Sequence, residues 1–508
     1  MSQPMEDAAV AEKAKRVAIL ALILFAIPIL GWLTSLYVES SLDDQFRKAM
    51  VDGGVISAAT YDANNLGYMK ACGPNGLLAE TKDATKLCSY AAEVVDSRRA
   101  SLITAGIGVG LLLLIFIGKG VAGANRRRLS IIFGPLVRIV MVALAVSVIA
   151  QAGLLIYSIY TLEAAAIQRV HGGLLAIIGI GALLGCLQLL KSGLWLLKTQ
   201  PSVLRAELLP DALHTEIYSL VNQVASKMHA QEPDNIVVGL EPNFFVTSNP
   251  VELMPGSQVL KGRTLFISLS LLHLLSRDEL AAVIGHELGH YRGQDTEYSL
   301  KFAPIYSRLT TALQGMGSGD EAGSIALLPA MAVLAVCLNQ FAEAERTIGR
   351  ERELLADMAG AEAVSPDALA SALVKVSLYA GFWTSLSRQH IELLAEGRYF
   401  ENLAVTYLGV CNDAHQSLDW DEAKPIFAEY QQPHPVDTHP PLGMRLQALG
   451  VSLNDKDATV AVPAATPATT LIAGADEIEQ RLTMLEIRWM EAMGLVLLPK
   501  AEPAESAA

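Results

Sequence analysis

The sequence predicts a mainly α membrane protein: four N-terminal transmembrane helices, then a mostly helical domain that carries a small β-sheet. Three observations predict it. Mean hydropathy is +0.36 with only 18% charged residues, too apolar for an ordinary soluble chain of 508 residues. Apolar runs near the roughly twenty residues that span a bilayer recur through the first 200 positions. Beyond them the pattern changes to amphipathic helical spacing interrupted by short β-prone runs. A formal charge of −14 and a pI near 5.2 imply no basic face, so no nucleic-acid partner is expected.

The first run, Val17 to Tyr37, follows the basic cluster Lys13, Lys15 and Arg16. It is longer than the roughly 7–15 apolar residues of a signal peptide and lacks a small-residue cleavage site, so it reads as a retained anchor. Pro28 within it is a kink that a membrane span tolerates. Leu102 to Val121, Ile139 to Leu162 and Leu174 to Leu197 complete the four spans. By the positive-inside rule the Lys13 to Arg16 cluster, Arg126-Arg127-Arg128 and Lys198 lie in the cytoplasm, with Arg169 and His171 a minor exception. Both termini are then expected inside, and the loop 38–100 outside. That loop is polar and turn-rich, with Gly53-Gly54, Asn64-Asn65 and Gly73-Pro74-Asn75-Gly76, and holds Cys72 and Cys88. In an oxidising compartment these two can form a disulfide; two unpaired thiols is the alternative, since sequence fixes no Cα distance.

The membrane part is assigned to residues 1–204. From 205 to about 450 the chain reads as a second domain. Leu213 to Met228 is an amphipathic helix with Leu213, Ile217, Leu220, Val221 and Val224 on one face. Asn235 to Leu240, Phe244 to Thr247 and Thr264 to Ser268 are β-prone. Ser276 and Glu279 form a capping box that opens a helix about ten residues before His286-Glu287-Leu288-Gly289-His290.

An H-E-x-x-H motif on a helix places His286 and His290 one above the other, close enough to hold one metal ion. Glu287 stands about 100° round the helix. It is beside the metal without being a ligand, as suits a general base acting on water at the ion. Zinc is the expected occupant, with a third N or O ligand and one open position. The bland alternative is a surface helix whose histidines share a face by chance. The capping box and the apolar stripe Leu280, Val283, Ile284 and Leu288 argue against it.

After the motif, Tyr298 to Leu313 reads as helix and Gly315 to Gly323 as a turn. Ile325 to Leu338 is an apolar run balanced between a buried core helix and a hairpin dipping into the bilayer. A helix from about Gln340 to Ala361 follows, then amphipathic helices to 432 whose aromatics Phe382, Trp383 and Tyr399 read as core. Residues 451–508 read as a flexible Ala/Thr/Pro linker at Ala458 to Pro467, a docking helix at about Ala475 to Met493 with Ile478, Leu482, Leu485 and Trp489 in a stripe, and a disordered tail.

The motif together with Glu353-Leu354-Leu355-Ala356-Asp357 resembles the paired signatures of the membrane-bound zinc metallopeptidases typified by HtpX and the CAAX prenyl proteases. The resemblance covers about residues 205–450 and implies a zincin-type fold. In that family the second motif is E-x-x-x-D, so the resemblance implies Glu353 as third zinc ligand and Asp357 as the carboxylate that orients a liganding His. Both project to one side of a helix, and a liganding imidazole normally gives its other N–H to a carboxylate. Glu343, Glu345 and Glu351 are rival ligands on the same helix, Glu351 the strongest. Asn243-Phe244-Phe245 resembles the family's Asn-Ala-Phe edge strand, with Phe244 a departure. Thr438-His439-Pro440-Pro441 with Arg445 resembles its T-H-P-P…R element; His439 is expected to hydrogen-bond an oxyanion, with Arg445 holding that loop, and a structural His before two prolines is the alternative.

The expectation is a zinc endopeptidase, one Zn2+ per chain, in a bacterial inner membrane with its catalytic domain cytoplasmic. It would cut polypeptides, chiefly membrane proteins, for quality control. CAAX-type processing of lipidated substrates is one alternative, and a non-catalytic scaffold or chaperone with structural zinc is another.

Overall fold

The computed structural model describes residues 3–78, 84–123, 125–196, 201–256, 258–291, 302, 305, 306, 309, 310, 323–428, 440–453 and 458–496. It divides into two compact units, residues 1–198 with 301–343 and residues 199–300 with 344–508.

The first unit is built on α1 (Gln3–Arg47), α2 (Ser89–Ala122), α3 (Arg126–Leu162) and α4 (Gly172–Leu196), each containing a stretch long and apolar enough to cross a membrane. Their large apolar side chains point outward, with Leu102, Ile117 and Ile177 among the exposed ones, which is how helices meet lipid. Small residues close the inside. Gly108 sits against Leu24 and Phe25, and a Cβ on Gly118 would stand 2.5 Å from a Leu136 methyl. The loop between α1 and α2 is folded: Cys72 and Cys88 are disulfide-bonded, Tyr68 donates to the Leu87 carbonyl at 2.7 Å, and Val38, Leu42, Tyr68 and Val94 share a buried cluster. The apolar run after Ile325 joins this unit, with Phe341 and Phe302 packed on Phe133 at 5.1 and 4.6 Å between ring centroids. It belongs to one uninterrupted helix, α7 (Gly323–Ala363), where the sequence pattern had implied two segments. Tyr298 to Leu313 and Gly315 to Gly323 fall largely outside the described residues.

The second unit begins with β1 (Ser202–Arg205) and β2 (Glu207–Leu208), then α5 (Thr215–Lys227), β3 (Asn235–Gly239), β4 (Phe245–Thr247), β5 (Val251–Met254), β6 (Gln258–Leu260) and β7 (Thr264–Ser268). Among the described residues these strands form two small sheets. The order β2-β3-β7-β4 makes β4 an edge strand, antiparallel to β7, and β1-β5-β6 forms the other sheet. Turn residues hid β5 and β6 from a reading based on runs of β-branched residues. The motif helix α6 (Arg277–Gly289) is followed by the rest of α7, then α8 (Pro366–Tyr379), α9 (Phe382–Ala395), α10 (Leu403–Gln416), α11 (Leu442–Ala448) and α12 (Ala475–Ala492). Pro366–Ala395 also meets the length and hydropathy of a span. It is two helices of this unit, and Leu369, Leu373, Tyr379 and Leu386 bury into its core clusters.

Residues 458–467, expected to be a flexible linker, are packed instead, together with Ala468 just beyond them. Ala461 and Ala468 are buried, Ala464 and Ala468 donate N–H bonds to Leu274 and Leu275 at 3.0 and 2.8 Å, and the Tyr379 hydroxyl donates to Ala461 at 2.8 Å. Alanine side chains are short enough for the backbone to lie directly on the core, which composition alone does not reveal. Helix α12 then adds Ile478, Leu482 and Leu485 to the main core cluster, about 1.5–3 kcal/mol each. Its buried polar groups are matched: Glu479 hydrogen-bonds His273 at 2.8 Å, the Thr483 hydroxyl accepts the Leu403 N–H at 3.0 Å, and Glu486 accepts from Arg205 at 2.7 Å. The Arg205 guanidinium also lies over the Trp489 ring, 4.2 Å from its centroid. Tyr399, read as core, is exposed, and the tail from Pro499 lies outside the described residues.

Candidate metal centre

The capping box places the start of α6. The Glu279 carboxylate accepts the Ser276 N–H at 2.7 Å and the Ser276 hydroxyl accepts the Glu279 N–H at 3.3 Å. Glu279 is buried, and Lys375 of α8, equally buried, meets its charge at 2.8 Å while donating to the Leu274 carbonyl at 3.1 Å. Breaking such a pair from one side typically costs about 3–5 kcal/mol, so this end of the helix is firmly held.

Helices α6 and α7 cross almost backbone to backbone. A Cβ on Gly285 would stand 2.5 Å from the Ala363 Cβ and 3.1 Å from the Gly360 Cα; one on Gly289 would stand 2.9 Å from the Ala359 Cβ. This seam of small residues sets how near the second motif comes to the first. It brings His286 and His290 of the first and Glu353 of the second together, with one donor atom from each all within 4.8 Å of one another.

The donor set fits a zinc ion. His286 Nε2 lies 3.6 Å from Glu353 Oε2 and His290 Nε2 lies 3.6 Å from Glu353 Oε1. Both separations are too long for hydrogen bonds, yet they approach the edge of about 3.4 Å expected of a tetrahedron with bonds of about 2.0–2.1 Å. The two imidazoles stand edge to face, with centroids 5.0 Å apart. Of the rival ligands, Glu351 is exposed, Glu345 is not in the cluster, and the Glu343 side chain lies outside the described residues.

Glu287 is buried beside this cluster, 4.0 Å from His286 Nε2. Burial, then the charge of Glu353, pushes its carboxyl well above the ordinary range, while Arg445 and the N–H of Val246 act the other way. A divalent cation would reverse that balance, since it favours the ionised form of every carboxylate around it. Val246 belongs to β4, so the sheet edge faces this carboxylate. In the Asn243-Phe244-Phe245 segment, Phe244 fills the main core and Phe245 stacks on Phe266 at 4.9 Å, so the departure from Asn-Ala-Phe adds core volume. Tyr291, which no sequence signal singled out, packs on the core with its hydroxyl beside Ser248, just past β4; burial pushes that phenol up to about 12.

Asp357 is fully buried. Its Oδ1 lies 2.9 Å from His286 Nδ1, which leaves Nε2 to face the cluster. Burial would raise its carboxyl, but hydrogen bonds from Arg445 and His286 outweigh that and hold it below the ordinary carboxylate range. Arg445 grips it as a fork, Nη2 to Oδ1 at 2.6 Å and Nε to Oδ2 at 2.8 Å. Sequence reasoning gave Arg445 the task of holding the Thr438 to Pro441 loop. The structure shows its guanidinium paired with Asp357, because α11 lays it directly against that carboxylate, and Thr438 lies outside the described residues. His439 lies outside the described residues.

The model of Peptidase family M48 matches residues 213–451. The chain is 29% identical to a protease HtpX homolog of Pyrobaculum calidifontis over 242 residues, 46% of this chain and 67% of the relative. It is 30% identical to one of Thermoplasma acidophilum over 246 residues, 46% of this chain and 71% of the relative. With one of Archaeoglobus fulgidus the identity is 29% over 168 residues, 32% of this chain and 46% of the relative. No solved structure matches. The paired motifs, the clustered His, His and Glu donors and these relatives together place the chain in peptidase family M48, among its membrane-bound zinc metallopeptidases.

Proposed function

We propose that the chain is a zinc-dependent endopeptidase anchored in a membrane, with residues 1–204 as its membrane domain and 205–450 as its catalytic domain, and that it cuts membrane or membrane-associated proteins. The observation that carries this is the convergence of His286, His290 and Glu353 beside a buried carboxylate that is not one of the three donors. Zinc held there would supply a Lewis acid for the scissile carbonyl and would lower the pKa of water. Glu287 is placed to take a proton from the attacking water and to pass it to the leaving amine. Asp357, steadied by Arg445, fixes the tautomer of His286. The edge of β4 offers main-chain groups to an extended substrate. His439, six residues before Arg445 in the T-H-P-P element, is assigned the oxyanion. A scaffold with structural zinc has no use for Glu287, and four N-terminal spans favour quality control over CAAX processing.

Metal analysis with a casein-cleavage assay tests this reading. Wild type should hold one zinc and cut, and Glu353→Gln should lose most of both. Glu351→Gln, at an exposed position, should keep both. The reverse result would show the third ligand misassigned, and no cleavage by zinc-loaded wild type would remove the peptidase reading.

Orientation is tested separately, on the proposal that loop 38–100 is outside and both termini are in the cytoplasm of a bacterial inner membrane. In spheroplasts, a membrane-impermeant thiol reagent should reach Cys72 and Cys88 only after reduction. Protection with and without reductant would invert the topology.

A further inference from the structure

The first unit holds a cavity of about 870 Å³ between the end of α1, the loop that follows it and the α3–α4 turn, within the size range of small-molecule sites. Its walls are direct continuations of membrane helices. One side is the stretch from Leu42 to Ala49, which starts five residues past the apolar run ending at Tyr37. Another is the α3–α4 turn, where Ala164 and Ala165 come two and three residues after the run ending at Leu162. The third is the disulfide-closed segment of Tyr68, Leu87 and Tyr90.

The backbone around the cavity is unusual in three places. Lys48–Asp52 and Glu163–Ile167 are π-helical, a rare form that recurs at functional sites, and each contributes lining residues. Gln168, also in the lining, has φ 57, a left-handed conformation uncommon for a side chain of its size. Irregularities that each cost free energy converge on one hollow, as they do where a ligand is clamped.

The lining sets the ligand's chemistry. Phe46, Tyr68, Tyr90 and Leu42 make an apolar, aromatic wall; Gln45 and Gln168 are polar and neutral; among the described residues Lys86 is the one charged group in the lining. Lys86 has no ion-pair partner among the described residues. The nearest acid of the α3–α4 turn, Glu163, is already taken, with the His171 ring at 2.9 Å and the His171 N–H at 2.7 Å. A hollow with an apolar, aromatic wall and, among the described residues, one cation without an ion-pair partner, adjoining the apolar stretches of membrane helices, suits one class of molecule. We infer that it binds a single-chain anionic amphiphile, an acyl chain in the aromatic wall with its carboxylate or phosphate at Lys86.

Photo-crosslinking of the full chain in lipid nanodiscs, with a diazirine-bearing palmitic acid as probe and mass spectrometry to place adducts, tests this. Adducts are expected on Phe46, Tyr68, Tyr90 and Val170. Excess lauric acid or lauroyl-lysophosphatidylglycerol should compete and neutral dodecanol should not; whichever anion competes better identifies free fatty acid or phospholipid as the source. Lys86→Glu should reduce labelling about 2–5-fold, the worth of an exposed ion pair, and Ala49→Trp should block it. Both positions are exposed, so the variants keep the fold. Adducts confined to the outward faces of α1 to α4, or equal competition by dodecanol, would overturn the proposal.

Discussion

Glu287→Gln should leave the protein folded and loaded with zinc while peptide cleavage falls by about 10²–10⁴-fold, the usual worth of a positioned acid–base group. The substitution keeps volume, and the amide oxygen can still accept the Val246 N–H. None of the three donor atoms is touched. Because burial, and then the charge of Glu353, disfavours an ionised Glu287, the thermal midpoint of the metal-free variant should not fall below that of metal-free wild type. Near-normal turnover by a variant holding one zinc would end the role assigned to Glu287.

Asp357 carries the second large expectation. Asp357→Asn keeps the shape and an acceptor for His286 but removes the charge, so zinc affinity should drop about 10–100-fold in a chelator titration, with added zinc restoring part of the activity. Asp357→Ala should be worse in a way the sequence did not foresee. It leaves the Arg445 guanidinium, only 11% exposed, without its carboxylate, and an uncompensated buried charge costs about 3–5 kcal/mol. Thermal unfolding should therefore separate the two variants even where zinc is saturating. If both match wild type in chelator resistance and stability, neither the tautomer argument nor the fork with Arg445 describes this site.

Much of the molecule was legible because its signals are local. Apolar runs of bilayer length mark α1 to α4, and Ser276 with Glu279 marks the start of α6. The i, i+4 spacing puts His286 and His290 on one face, and the same spacing does so for Glu353 and Asp357. Each is a statement about one helix, whose geometry fixes neighbours three and four residues apart whatever surrounds it.

What the chain could not state is how distant segments meet. Gly285 and Gly289 look like weak points of a helix until Ala356, Ala359, Gly360 and Ala363 are laid against them. The fork between Arg445 and Asp357 joins residues 88 apart in the chain, and the Ala/Thr/Pro stretch 458–467 looked like a linker until the Ala464 N–H met the Leu274 carbonyl. The sequence by itself determined the four apolar helices, the motif helix and the chemistry of the donor set. The E-x-x-x-D resemblance pointed to Glu353, and what only tertiary structure shows is why that carboxylate and not its neighbour lies beside the histidines: exposed Glu351 and buried Glu353, two residues apart, differ in which side of α7 meets α6.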